Sequence, residues 1–233
     1  MRTLPSVNDY CEKPRIAGTY ENQMLYGMCA HAPRHSSVYH TTGKLIAIGR
    51  IYAASPQRKA GSAKIADEDI FIVLAQTLVD SDIDEMLDEI AFSDRLPSIE
   101  TLGRVLDTRT QFAEKISNGI SRWSDKTRNA SWRPLNHISF ASKYLHFHRP
   151  NAFPIYDSIV RAGLNCSGIK GSFQTYASFC KGFCEVTPNR KERWYPRSID
   201  TYLLGLGREH NKRTQEQPCG KCGAALKTRK API

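Results

Sequence analysis

From residue 67 to residue 209 the chain repeats one pattern, a helix-length segment closed by a short polar or proline signal, and that repetition restricts the fold more than any other feature. Asp67, Glu68 and Asp69 precede IFIVLAQTLV, placing acids in the first turn of a helix, where they complement its dipole. Helical periodicity follows over 82–92, 98–106 and 108–123. After a polar stretch at 126–133, Pro134 suits the first position of a helix over 135–148. Further helices are expected over 155–164, 172–183 and 197–209. Many short helices with no internal repeat imply a mainly α body. Residues 1–65 are irregular; a short apolar run at 44–53 and a turn cluster at 55–62 leave room for a few strands. The expected organisation is an N-terminal segment (1–65), a helical domain (66–210) and a loose basic tail (211–233).

With 233 residues and 40% hydrophobic composition, the chain can bury a core as one domain or two small lobes. No segment approaches the roughly 18 continuous apolar residues of a membrane span, and MRTLPSVNDYCEKPR lacks the apolar stretch of a signal peptide. A cytoplasmic protein with no membrane partner is expected. Seven cysteines, at 11, 29, 166, 180, 184, 219 and 222, are odd in number and unevenly spaced, which suits reduced thiols better than a disulfide framework.

The net charge of +10 is unevenly spread. Residues 1–107 carry 11 Lys and Arg against 15 Asp and Glu, whereas residues 108–233 carry 22 against 8. A positive surface on one half suits a polyanion, because neutralising phosphates releases counterions. The run 67–89, with nine acids and no base, reads as a solvated face turned away from such a partner.

Chemistry concentrates in ISFASKYLHFHRPNAFPIYDSIV, residues 138–160. Leu135, Ile138, Ala141 and Leu145 form a core stripe on the first helix. Lys143 lies off that stripe and shares a face with Ser139, Phe140 and Phe147, so aromatic neighbours would restrict water around its amine. The turn from Arg149 to Pro154 is stiffened by two prolines and fixes Asp157, expected in the first turn of the next helix. An amine nucleophile and a carboxylate joined in this way can act at a sugar carbon.

In these residues the chain resembles the helix-hairpin-helix DNA glycosylase superfamily (HhH-GPD-like), specifically its bacterial 8-oxoguanine DNA glycosylase (OGG-fold) branch. SFASKYLHFHRPNAFPIYDS carries the likeness, and RSIDTYLLGLG near the end is similar to that branch's terminal helix. The resemblance implies two helical lobes with a DNA-binding cleft, Lys143 as nucleophile and Asp157 as the assisting carboxylate. It implies base excision from double-stranded DNA after the nucleotide is extruded. The default target is 8-oxoguanine, with β-elimination at the resulting abasic site. Family context also allows an antiphage role, removing modified bases such as modified cytosines from phage DNA.

One departure concerns the Gly-x-Gly element that usually precedes the lysine helix, for which residues 129–136 offer no glycine. Arg133, Asn136 or His137 would supply the phosphate contact instead. His146 would line the same cleft, and Arg161, Lys212 and Arg213 could meet phosphates. His146 and His148 point about 200° apart on a helix and cannot share one ion. Cys219 and Cys222 make half a zinc knuckle, with Cys180, Cys184 and His210 as the only plausible further donors. No cofactor, no metal, no iron–sulfur cluster and no obligate protein partner are expected. The competing class is a non-catalytic DNA-binding module in which Lys143 is only a positive charge; a metal nuclease built on the two histidines is weaker.

Overall fold

The computed structural model describes residues 20–54, 56, 67–90, 99–126, 137–186 and 196–216. Among them every regular element is a helix: α1 (Tyr20–His31), α2 (Val38–Ile51), α3 (Asp67–Val79), α4 (Ile83–Asp88), α5 (Ile99–Lys126), α6 (Ile138–His148), α7 (Ser158–Cys166), α8 (Tyr176–Glu185) and α9 (Pro196–Glu216). The mainly α expectation holds, and no described helix is long and apolar enough to cross a membrane. Two compact units are present, residues 1–156 with 195–197, and residues 157–194 with 198–233.

The room left for strands before residue 65 is filled by helices where the structure describes it. The apolar run at 44–53 belongs to α2, whose buried residues Thr41, Lys44, Leu45, Ile48 and Gly49 recur at helical spacing. Ser37 starts that helix by accepting the His40 amide. The two helices expected over 98–106 and 108–123 are one, α5, because Asp107 and Thr108 carry no helix-breaking chemistry and Thr108 is buried in the continuous face. The last helix runs to Glu216 and so includes residues assigned from sequence to a loose tail. Pro134, Leu135 and the start expected for the lysine helix lie outside the described residues.

In the first unit, α6 is the central element, packed by α1, α2 and α5. Every residue from Phe140 to Pro150 is buried. Phe112 of α5 stacks on Tyr144 at 5.0 Å, and Phe147 meets Tyr26 of α1 and Tyr52 at the end of α2. Among the described acids of 67–89, Asp80, Asp82, Glu85, Asp88 and Glu89 are exposed and Asp84 is half-buried. Asp82 pairs with Lys115 at 2.7 Å, Asp84 with His35 at 2.7 Å and Asp88 with Arg34 at 2.7 Å, which ties α4 to its neighbours. Cys29 is a buried thiol, pushed up to about 12 by burial.

In the second unit, α8 opens with a capping box in which Thr175 and Ser178 satisfy each other's backbone amides. Helices α7 and α9 approach closely at two glycines. A Cβ on Gly163 would fall on the Leu203 carbonyl, and one on Gly207 would fall on the Ile159 carbonyl. Cys166, Cys180 and Cys184 are thiols. Cys11, Cys219 and Cys222 lie outside the described residues.

Candidate active site

Helix α6 begins after His137, which caps it without a side-chain bond, and ends at Arg149, whose amide bonds the Leu145 carbonyl. One face of the helix carries Ser139, Ser142, Lys143 and His146, within an arc of about 100° at 3.6 residues per turn. Lys143 is only 3% exposed. Its amine donates to the Ser139 hydroxyl at 3.0 Å and lies 5.8 Å from the centroid of the Tyr52 ring. Tyr52 thus sets an aromatic ring against the amine, while of the two aromatics expected on this face Phe140 packs against Phe112 and Tyr144, and Phe147 against Tyr26 and Tyr52 itself. Tyr52 is itself oriented, its hydroxyl donating to Asn22 at 2.7 Å.

The turn after α6 is fastened along its length. The Arg149 guanidinium donates to the Leu87 carbonyl at 3.1 Å and reaches Asp88 at 3.5 Å. The amides of Ala152 and Phe153 bond the Arg149 carbonyl at 3.0 and 3.2 Å. The Phe153 carbonyl accepts from His146 Nδ1 at 2.9 Å, and Ser142 holds the Tyr156 amide at 3.0 Å. Asp157 follows directly. It is the N-cap of α7 rather than part of its first turn, extended at φ −130° and ψ 149° and accepting the Ile159 amide at 2.8 Å.

The residues expected to contact DNA divide sharply. His146 is 1% exposed, and both ring nitrogens are engaged within the protein, Nδ1 by Phe153 and Nε2 by the Tyr26 hydroxyl at 2.6 Å. No ring nitrogen remains for a phosphate, and the residue pins the turn to α1 instead. His137 is also buried. Arg161 is half-buried and donates to Gln174 at 3.0 Å. Lys212 is exposed on α9. Arg213 lies on the same helix, with a side chain outside the described set, as are Arg133 and Asn136.

The opposite face of α6 carries Tyr144 and His148, about 140° to 180° around the helix from Ser139. Here lies a buried polar group that sequence reasoning missed. Lys44 donates to the carbonyls of Ala32 and Arg34 at 2.9 and 3.3 Å. His35 holds Asp84 through its ring Nδ1 and its backbone amide, at 2.7 and 2.8 Å, and its Nε2 faces the Tyr144 hydroxyl at 2.9 Å. Burial lowers His35 despite the Asp84 carboxylate; burial raises Asp84, but the His35 bonds outweigh it and leave the carboxyl below its usual value. A neutral imidazole donating to an ionised carboxylate satisfies both, with the tyrosine donating to Nε2. His148 stacks on His35 at 4.8 Å and is held well below the usual histidine value by burial, with the Lys44 and Arg149 charges adding to it. The nearby Pro33 carbonyl opposes that shift, although neither ring nitrogen makes a hydrogen bond of good geometry.

A pH dependence follows. The unfolded chain protonates both histidines near 6.5 while the folded state keeps them neutral, so stability is full above that value and falls as pH drops below it. Each group contributes up to roughly a factor of ten in the folding equilibrium per pH unit until its folded value is reached. Urea midpoints measured at pH 7.5, 6.5 and 5.5 should fall progressively, and His148→Phe should reduce the slope. A flat profile would contradict the neutral assignment.

No protein-family model, curated protein or solved structure matches this chain.

Proposed function

We propose that this chain is a DNA glycosylase of the helix-hairpin-helix type that excises a damaged or modified base, 8-oxoguanine by default, with Lys143 as nucleophile and Asp157 as the assisting carboxylate. One observation carries the proposal. A buried lysine amine, held by a hydroxyl and an aromatic ring, stands on a helix that a fully fastened turn joins to an N-capping aspartate.

In the proposed reaction the nucleotide is first extruded, because C1′ is out of reach within the duplex. The Lys143 amine attacks C1′ through its nitrogen lone pair. The glycosidic bond breaks, and its electron pair leaves with the base, which takes up a proton. The Asp157 carboxylate stabilises the positive charge developing on the sugar. The amine then loses a proton, the C1′–O4′ bond opens with protonation of O4′, and an imine links enzyme and DNA. Loss of a C2′ proton and departure of the 3′ phosphate would nick the strand. The basic second half, with 22 Lys and Arg against 8 Asp and Glu over residues 108–233, supports a nucleic-acid partner.

The test is a panel of duplexes bearing 8-oxoguanine, uracil, modified cytosines or an abasic site, assayed for base release and for borohydride trapping. A covalent adduct on the abasic duplex, with release of one of the bases, is expected. Salt-sensitive binding to every duplex with no adduct on any would favour the non-catalytic binding module.

A further inference from the structure

Ser142 is completely buried and makes two hydrogen bonds. Its hydroxyl donates to the Ser139 carbonyl at 3.0 Å and accepts the Tyr156 amide at 3.0 Å. The first bond fixes the hydroxyl proton on the helix and turns a lone pair toward the amide. Tyr156 is itself 8% exposed, so water is poorly placed to replace that acceptor. The next residue is Asp157, whose α-carbon lies about 3.8 Å from that of Tyr156 by peptide geometry. The serine also precedes Lys143 in the chain and shares its helical face with His146, which fastens Phe153.

We infer that Ser142 is a positioning residue for the Asp157 carboxylate, acting through the Tyr156 amide; the role rests on the glycosylase proposal above. One face of α6 thus carries Lys143 and also holds, at two points, the turn that precedes Asp157 in the chain. The serine touches no reacting atom. Its effect belongs to glycosidic-bond cleavage, which needs the carboxylate, and not to imine formation at a ready-made aldehyde, which needs the amine.

A double-mutant cycle with Ser142→Ala and Asp157→Asn tests this under single-turnover conditions. Ser142→Ala should lower base release roughly ten- to a hundredfold with unchanged duplex affinity, the scale of loss that small misplacements cause. In the Asp157→Asn background it should cost nothing further. Borohydride trapping on an abasic duplex should stay within about threefold of wild type, since no glycosidic bond is broken there. Ser142→Cys, which keeps the shape and a weak acceptor, should be intermediate and serves if the alanine variant does not fold. Unchanged base release in Ser142→Ala overturns the inference. So does an equal loss in the Asp157→Asn background, the mark of a purely structural effect, or a fall in trapping as large as that in release, the mark of an effect through Lys143. A wild-type protein that forms no adduct even on the abasic duplex removes the glycosylase proposal and this one together. A wild-type adduct with an unaffected Ser142→Ala variant removes this one alone.

Discussion

Lys143→Gln is expected to abolish the borohydride-trapped adduct completely while leaving duplex affinity within about threefold of wild type, because affinity for DNA is summed over many phosphate contacts. Glutamine keeps a polar chain that can still donate to the Ser139 hydroxyl, so the local packing around Tyr52 should survive. Its amide nitrogen, with the lone pair delocalised, cannot attack C1′ or form an imine. The partner substitution separates two roles of one carboxylate. Asp157 caps α7, and asparagine caps a helix about as well, so Asp157→Asn should fold with wild-type stability. Loss of the negative charge should nevertheless slow base release by about 10² to 10⁴. Gel trapping, single-turnover release and thermal melting on the same preparations distinguish these effects. An adduct retained by Lys143→Gln, or wild-type release by Asp157→Asn, would contradict the assigned roles.

Gly163→Ala and Gly207→Ala should each destabilise the second unit by about 3 kcal/mol, the upper end of overpacking costs. In an exposed helix interior, replacing glycine with alanine gains about 1 kcal/mol. Here the sign reverses. The new methyl at 163 would occupy the position of the Leu203 carbonyl, and that at 207 the position of the Ile159 carbonyl. Backbone cannot rotate away as a side chain can, so the two helices must separate and forfeit the contact between them. The pairing is reciprocal: Ile159 and Gly163 on α7 face Gly207 and Leu203 on α9, an antiparallel crossing in which each helix offers one glycine. Denaturant unfolding of each variant measures the loss. Gly205, with nothing within 4 Å of an added Cβ, is the internal control, and Gly205→Ala should be neutral or stabilising.

The part of this chain that could be read without a structure was the part whose information is local. Lys143, the proline-bounded turn and Asp157 are separated by a few residues, and periodicity with proline chemistry places them in order. Ser139, one helical turn before the lysine, was visible for the same reason. Tyr52 and Tyr26 were not, since nothing near them in sequence announces that α1 and the end of α2 pack on α6. His146 shows the corresponding error. On a helical wheel it sits beside Lys143 and reads as a phosphate contact, but tertiary packing closes both its nitrogens. The cluster of Lys44, His35, Asp84 and Tyr144 was hidden by the same distance, and Lys44 fell in a run read only as apolar. Boundaries failed where chemistry was ambiguous. Asp107 and Thr108 resemble a helix start yet lie inside α5, and Asp157 caps a helix it was expected to occupy.

The most direct measurement is to reduce the wild-type adduct on an abasic duplex with borohydride, digest it and locate the modified residue by mass spectrometry. The proposed mechanism predicts a single secondary amine linkage on the Lys143 Nζ. A linkage on another lysine, or on the N-terminal amine, with Lys143 unmodified would contradict it.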